Sequence, residues 1–195
     1  MTPTTDYEYD VFFSYKRHGL TLDWIRGVHR RLQLWVQEEV PNREVRLFVD
    51  EESIETGDRW PEKMKKALRH SRCMVSVWSP SYFRSEWCVS EWRSFRERER
   101  RMNLRSHGLI APMRFHDGEH FPEEARDVQW TDVAPYTSSV PAFWSSQRAI
   151  ELEDILKVLA RSVARIAQGA PPFEPDWPIV EASGLVIPKI ELARL

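Results

Sequence analysis

The stretch S-E-W-C-V-S-E-W, Ser85 to Trp92, sets a carboxylate among large apolar side chains. At about 100° per residue, Trp87, Glu91, Phe95, Cys88 and Trp92 follow in angular order along one continuous helical arc. Glu86, Ser90, Arg93 and Glu97 fall on the opposite, polar face. A carboxylate inside an apolar stripe is costly unless a partner holds it. Glu91 is therefore the first residue to examine for chemistry. A purely structural partner would be a backbone group, or an arginine such as Arg84 or Arg17. Glu99 also projects onto this arc two turns further on, so position on the arc does not by itself make a site.

Other groups with chemical potential have weaker spacing. H-D-G-E-H, residues 116–120, matches an inverted zinc signature. That signature needs a helix to bring both histidines to one face, whereas Gly118 and Pro122 favour a solvated loop, and no metal site is expected. R-S-F-R-E-R-E-R-R-M-N-L-R, residues 93–105, is basic, but Glu97 and Glu99 stand at helical pairing distance from its arginines. A solvated helix face is expected there. Cys88 lies on the apolar stripe with no histidine near it in sequence, which favours a buried thiol over a nucleophile. The seven glycines form neither a G-x-G-x-x-G turn nor a P-loop, so a dehydrogenase or P-loop NTPase is unsupported.

Bulk properties narrow the class. With 195 residues, 42% of them hydrophobic, the chain can bury one substantial core. A net charge of −2 gives no general attraction to nucleic acid or to acidic membranes. Cys73 and Cys88 make no disulfide framework, which fits a reducing cytoplasm. The polar start M-T-P-T-T-D-Y-E-Y-D has no signal-peptide pattern, and no apolar run reaches the ~20 residues of a membrane span.

The elements that must position Glu91 alternate. Y-D-V-F-F-S-Y (9–15), V-R-L-F-V-D (45–50), C-M-V-S-V-W-S (73–79) and G-L-I-A-P-M-R-F (108–115) read as strands, with D-V-Q-W-T-D-V (127–133) as a short fifth. Pro112 favours an edge or a bulge for the fourth. Trp24, Ile25, Val28, Leu32, Trp35 and Val36 mark a helix after the first strand. Asp58 is a candidate N-cap for the helix that follows the second, with Pro61 in its first turn. A helix from near Ser85 carries Glu91, and a long one ends at Gly169. Such alternation predicts an α/β fold with a parallel sheet covered on both faces. Sites in these sheets form where the strands end, at a topological switch point. The strand ends here are Ser14-Tyr15-Lys16-Arg17, Asp50 and Ser79-Pro80, so Glu91 is expected to face the crevice after the first strand. The segment from Ala170, rich in proline yet carrying Phe173 and Trp177, is too apolar for a solvated linker. It is expected to pack on the domain or on a neighbouring chain.

Y-D-V-F-F-S-Y-K-R, L-F-V-D-E-E-S-I-E-T-G-D-R-W and S-P-S-Y-F-R-S-E-W-C-V-S-E occur in this order, with Phe143-Trp144 before the last helix. Together they resemble the boxes of the TIR (Toll/interleukin-1 receptor) domains over residues 7–168, leaving 169–195 as an extension. The resemblance implies a flavodoxin-like five-stranded parallel sheet. It also implies cleavage of NAD⁺ at the nicotinamide–ribose bond, giving ADP-ribose or a cyclic ADP-ribose isomer. Glu91 is then the catalytic glutamate and Trp87 the aromatic one turn earlier. NAD⁺ is a substrate, and no cofactor is implied. Ser14, Lys16, Arg17, Trp60 and Trp87 become candidate substrate contacts: the cations for the pyrophosphate, the tryptophans for stacking. Self-association through TIR–TIR contacts is implied as well. The likeness to bacterial antiphage signalling TIR proteins of the Thoeris type adds a separate effector protein that responds to the nucleotide product. The other class open to such a chain is a non-enzymatic adaptor that acts by TIR–TIR contact alone.

Overall fold

The computed structural model describes residues 6–17, 19–49, 62–104, 108–119 and 121–181. Five parallel strands, β1 (Tyr9–Tyr15), β2 (Leu47–Val49), β3 (Ser71–Trp78), β4 (Ile110–Arg114) and β5 (Thr131–Asp132), form one sheet in the order β2-β1-β3-β4-β5. Between and after them run helices α1 (Leu22–Glu39), α2 (Glu62–Arg69), α3 (Pro80–Phe83), α4 (Glu86–Arg101), α5 (Glu123–Arg126) and α6 (Gln147–Gln168). This is the expected flavodoxin-like α/β architecture.

The side-chain period of two sorts each strand between two cores. Val11 and Phe13 of β1, with Val75 and Val77 of β3, pack under α1 and α6 against Val28, Leu32, Leu156 and Val163. Phe12 and Met74 point the other way and join Leu68 of α2 and Trp92 and Phe95 of α4. Each fully buried side chain of this size contributes about 1.5–3 kcal/mol. The two-sided burial explains why the strands read as nearly unbroken apolar runs.

Three local features depart from the sequence-based expectations. First, β4 is an inner strand, although Pro112 pointed to an edge or a bulge. β5 pairs with β4 only at Met113 and Arg114, so on that side Pro112 has no ladder to interrupt. Second, a short helix, α3, precedes α4. Ser79 caps it by accepting from the Tyr82 backbone N–H at 3.1 Å, and Pro80 occupies its first turn. Third, Ser90 is buried rather than on a polar face. Asp50, the proposed cap Asp58, Trp60 and Pro61 lie outside the described residues.

Part of the extra burial on α4 comes from residues 170–181. Trp177 is 1% exposed and lies over the Arg98 guanidinium at 4.8 Å. Arg98, 0% exposed, donates to the carbonyls of Ser71 at 2.7 Å and Leu68 at 3.0 Å. Burial pushes its guanidinium down to about 10. The Ser94 hydroxyl oxygen accepts from the Val180 N–H at 2.9 Å, and the Tyr7 hydroxyl donates to the Pro171 carbonyl at 3.0 Å. Among the described residues, no helix is long and apolar enough to cross a membrane.

The helix pair α1–α6 is closed from one end by Phe143 and Trp144, which sit in a 3₁₀ segment before α6. The Trp144 indole lies against Gly27 of α1, with the Arg31 guanidinium 4.1 Å from its ring centre. A Cβ on Gly27 would lie 2.0 Å from Trp144 Cζ2, a distance no packed pair tolerates. We therefore expect Gly27→Ala to lower stability by about 1–3 kcal/mol through overpacking. Urea denaturation reads this directly, and the same substitution in a Trp144→Ala background should cost far less. Equal costs in both backgrounds would show that the glycine is not there for the indole.

Candidate active site

The pleat of β1 explains how Glu91 finds its partner. Phe12 faces the α2–α4 side, so Ser14, two residues on, faces it too, one step nearer the carboxyl end of the strand. On the other side of the cleft, the Ser85 backbone leaves α3 in extended geometry and starts α4, which brings Glu91 opposite Ser14. The Ser14 hydroxyl donates to Glu91 Oε2 at 2.6 Å. The Glu91 residue is only 7% exposed. Tyr82 of α3 closes a relay, with its hydroxyl 2.8 Å from Ser14 Oγ. A serine hydroxyl has one proton. Because Ser14 gives it to Glu91, Tyr82 is the donor to Ser14.

The electrostatics support that direction of donation. Burial, reinforced by the nearby Glu91 carboxylate, raises the Tyr82 phenol well above the usual tyrosine range, so it remains protonated. Burial, followed by Glu91, also raises the Cys88 thiol. Cys88 is a buried, protonated thiol, in keeping with its place on the stripe. The Lys16 ammonium acts on Cys88 in the opposite sense, which places its charge close to this cleft.

A small cleft opens over Glu91, with Trp87, Met64, Ser14, Lys16 and Arg17 among its walls and a volume of about 90 Å³. Four of the candidate substrate contacts read from the sequence therefore converge here. Trp87 is half-buried, one helical turn before Glu91, and shows part of its ring to the cleft. Lys16 is exposed and Arg17 is half-buried. Ser14 is buried, and its proton is committed to the carboxylate. Trp60, the remaining candidate, lies outside the described residues.

Other buried carboxylates show what a structural role looks like. Asp10, at the opposite end of β1, accepts from Arg43 at 2.8 Å and from the Arg46 N–H at 3.0 Å, with Arg72 at 3.5 Å. Glu99 accepts from the Leu109 N–H at 2.5 Å and from Arg96 at 2.9 Å. The second pairing and that of Arg100 with Glu97 at 2.6 Å compensate charge along α4 as the spacing indicates, but Arg98 and Glu99 are buried, so the stretch is not the solvated face expected of it, and Arg105 lies outside the described residues. Residues 116–119 adopt turn and bend geometry, not helix, while His120 lies outside the described residues. Among the described residues no group of histidine, cysteine, aspartate and glutamate is arranged to hold a metal.

Sequence reasoning missed Tyr82 and Met64, which come from two other helices. It also missed Arg98, seven residues after Glu91. That spacing was a usable signal, because a heptad returns to within about 20° of the same helical direction.

Tyr82 also allows a test by pH. Its folded-state pKa is raised, so its contribution is present below the unfolded value of about 10 and is lost as pH rises through the folded value. Wild-type stability should fall on the alkaline side, and Tyr82→Phe should make that fall shallower. Melting temperatures measured from neutral to strongly alkaline pH give both curves. Parallel curves would mean that Tyr82 ionises without cost to the fold.

The TIR-domain family model matches residues 11–142, from β1 through α4 to the start of the last 3₁₀ segment. Over 83 residues the chain is 32% identical to a protein of Brachypodium distachyon named "Probable 2' cyclic ADP-D-ribose synthase BdTIR". That alignment covers 43% of this chain and 34% of the relative, about a third of its length. Among solved structures, the TIR domains of the activated Roq1 resistosome recognising the effector XopQ are 17% identical. That match covers 84% of this chain and 86% of the other, with a TM-score of 0.42. The TIR domain of the Toll-related receptor TRR-2 from Hydra magnipapillata is 20% identical over 75% of this chain and 98% of the other, also at 0.42. The family match takes in well over half of the chain, including β1, α2 and α4, whose residues line the cleft, and the protein belongs to the TIR domain family.

Proposed function

We propose that this TIR domain cleaves NAD⁺ at the nicotinamide–ribose bond, with Glu91 as its catalytic residue. The observation that carries the reading is the Glu91 carboxylate, buried at a strand-end cleft, held by the Ser14 hydroxyl and bordered by the half-exposed Trp87. The name of the Brachypodium relative, a probable cyclic ADP-ribose synthase, supports the same chemistry.

The residue type suits the reaction. The glycosidic nitrogen of NAD⁺ is already cationic, so nicotinamide leaves as a neutral molecule, taking the bonding electron pair, and no general acid is required. Positive charge develops on the ribose, as in glycoside hydrolysis. A carboxylate held against that sugar stabilises the charge, more strongly where apolar walls exclude water. Water or a hydroxyl of the same molecule then bonds to the anomeric carbon and releases its proton. The product is ADP-ribose in the first case and a cyclic isomer in the second. Within this reading Trp87 and Trp60 stack on rings of the substrate, and Lys16 and Arg17 meet its pyrophosphate. Ser14 orients the carboxylate. The resemblance to Thoeris-type proteins extends the reading to antiphage signalling, with the product acting on a separate effector protein.

The decisive measurement is chromatography of nicotinamide and ADP-ribose products from purified protein incubated with NAD⁺. Wild type should release nicotinamide, Glu91→Gln and Glu91→Ala should abolish release, and Ser14→Ala should reduce it while the fold persists by circular dichroism. Equal turnover by wild type and Glu91→Gln would remove Glu91 from its role. An absence of turnover by wild type, crowded or dilute, would favour an adaptor that acts through TIR–TIR contact.

The same reading includes self-association, which for a head-to-tail contact can propagate beyond a dimer. Specific activity should then rise with protein concentration, in step with an increase in mass by light scattering. Flat specific activity from a monodisperse monomer would exclude activation by assembly.

A further inference from the structure

Residues 170–181 lie beyond the family match, which ends at residue 142, yet they are pinned to both helices that wall the Glu91 cleft. On α2 the last residue, Arg69, donates from Nε to the Trp177 carbonyl at 3.3 Å. On α4 the Ser94 hydroxyl oxygen accepts from the Val180 N–H, and Arg101 reaches Asp176 at 3.8 Å. Nearer the start of the segment, Phe173 sets its ring 5.3 Å from that of Tyr7 and 4.7 Å from the His70 imidazole. The segment thus bridges α2 and α4 near the amino end of β3, while the cleft opens at the carboxyl ends of the strands.

Arg98 lies at the centre of that bridge. Its guanidinium donates to the Leu68 carbonyl of α2 and to the Ser71 carbonyl at the start of β3, so one buried cation ties α4 to both elements. Leu68 is one turn beyond Met64, and Arg98 is two turns beyond Glu91. The tie therefore lies about 6 Å along α2 and about 10 Å along α4 from the residues that face the cleft. Leu68, Cys88, Trp92 and Phe95 share one close-packed core between tie and cleft, and such a core passes on a change of spacing. How firmly Arg98 holds depends on water. A hydrogen bond to a carbonyl is stronger where solvent is shut out, and it weakens once water competes for the cation. Phe95 and Trp177 place their ring centres 4.4 and 4.8 Å from the guanidinium carbon. Phe95 belongs to α4 itself, so the aromatic cover that comes from another part of the chain is Trp177, only 1% exposed.

We propose that residues 170–181 form a clasp in which Trp177 is a positioning residue: by sealing Arg98 it fixes the spacing of α2 and α4, and with it the width of the cleft over Glu91. Loosening the clasp opens that cleft while the sheet and the opposite core stay folded. The consequence for turnover rests on the reading of Glu91 as catalytic, whereas the opening itself does not.

The two cysteines of the chain report on opposite faces of the sheet. Cys88 borders the cleft within the α2–α4 core, and Cys73 belongs to the core under α1 and α6. Burial raises both thiols, so each becomes reactive only when its surroundings open. The experiment is the rate at which dithionitrobenzoate modifies each thiol under native conditions, with the two sites resolved by peptide mass spectrometry. In Trp177→Ala, Cys88 should react about tenfold faster or more than in wild type, as expected for a lost desolvated cation–π contact, while Cys73 stays slow. Trp177→Phe should restore most of the protection. Leu156→Ala, which loosens the opposite core, should not raise the rate of Cys88 relative to Cys73. Trp177→Leu keeps apolar bulk without a ring, and it should expose Cys88 selectively even if the alanine variant does not fold. An unchanged Cys88 rate, or equal acceleration of both thiols in the Trp177 variants, would overturn the proposal. In turnover, Trp177→Ala should lower kcat/KM for NAD⁺ by a similar factor and Trp177→Phe should recover it. Undiminished turnover beside an exposed Cys88 would overturn the positioning role and leave Glu91 standing. Selective exposure of Cys88 in a protein that never releases nicotinamide would instead uphold the clasp and overturn the catalytic reading.

Discussion

A carboxylate in an apolar wall has to be held, and the hydrogen bond from Ser14 to Glu91 is a central part of that hold. A hydrogen bond to a buried charged group is worth about 1.5–3 kcal/mol, and leaving the charge without it costs more. That single contact spans β1 and α4, which are 77 residues apart in sequence. Its geometry depends on the register of β1 against β3, on the short helix α3 and on the extended turn at Ser85. Each of these must be correct for the carboxylate to arrive opposite the hydroxyl. Tyr82 then fixes the hydroxyl, and the burial that keeps its phenol protonated also keeps the relay pointing one way.

The two cores supply the rigidity that this arrangement needs. Phe12 and Met74 anchor the strands against α4, so Ser14 extends from a backbone locked on both sides. On the opposite face the α1–α6 pair clamps the sheet, and Trp144 against Gly27 sets how closely the end of that pair can close. The segment after α6 works on the outer side of α4. Trp177 and the carbonyls of Ser71 and Leu68 surround Arg98, converting an internal cation into a docking point for the segment that follows α6. Arg98 and Glu91 thus lie on nearly the same line of α4. One turns toward the strand-end cleft and the other toward the C-terminal segment.

Most cations are neutralised locally within helices or across strand ends, which fits the near-neutral balance of the chain.

The amino-acid sequence by itself determined the alternation of strands and helices, the parallel sheet and the helix that carries Glu91. Apolar periodicity is a local property and directly reflects which face is buried. It also marked Glu91, because a charge within an apolar stripe stands out against its neighbours, and it marked the pairings of Arg96 with Glu99 and of Arg100 with Glu97 along α4. Tertiary structure alone decided which hydroxyl meets that carboxylate, since Ser14 and Tyr82 approach from separate elements and no spacing rule links them. It decided that Pro112 lies in an inner strand, because how far β5 runs beside β4 depends on the whole sheet. It also decided that Ser94 and Arg98 are buried, since the segment that contacts them begins some 70 residues later in the chain. Periodicity tells a helix which face to bury, while the partner on that face is chosen by the rest of the fold.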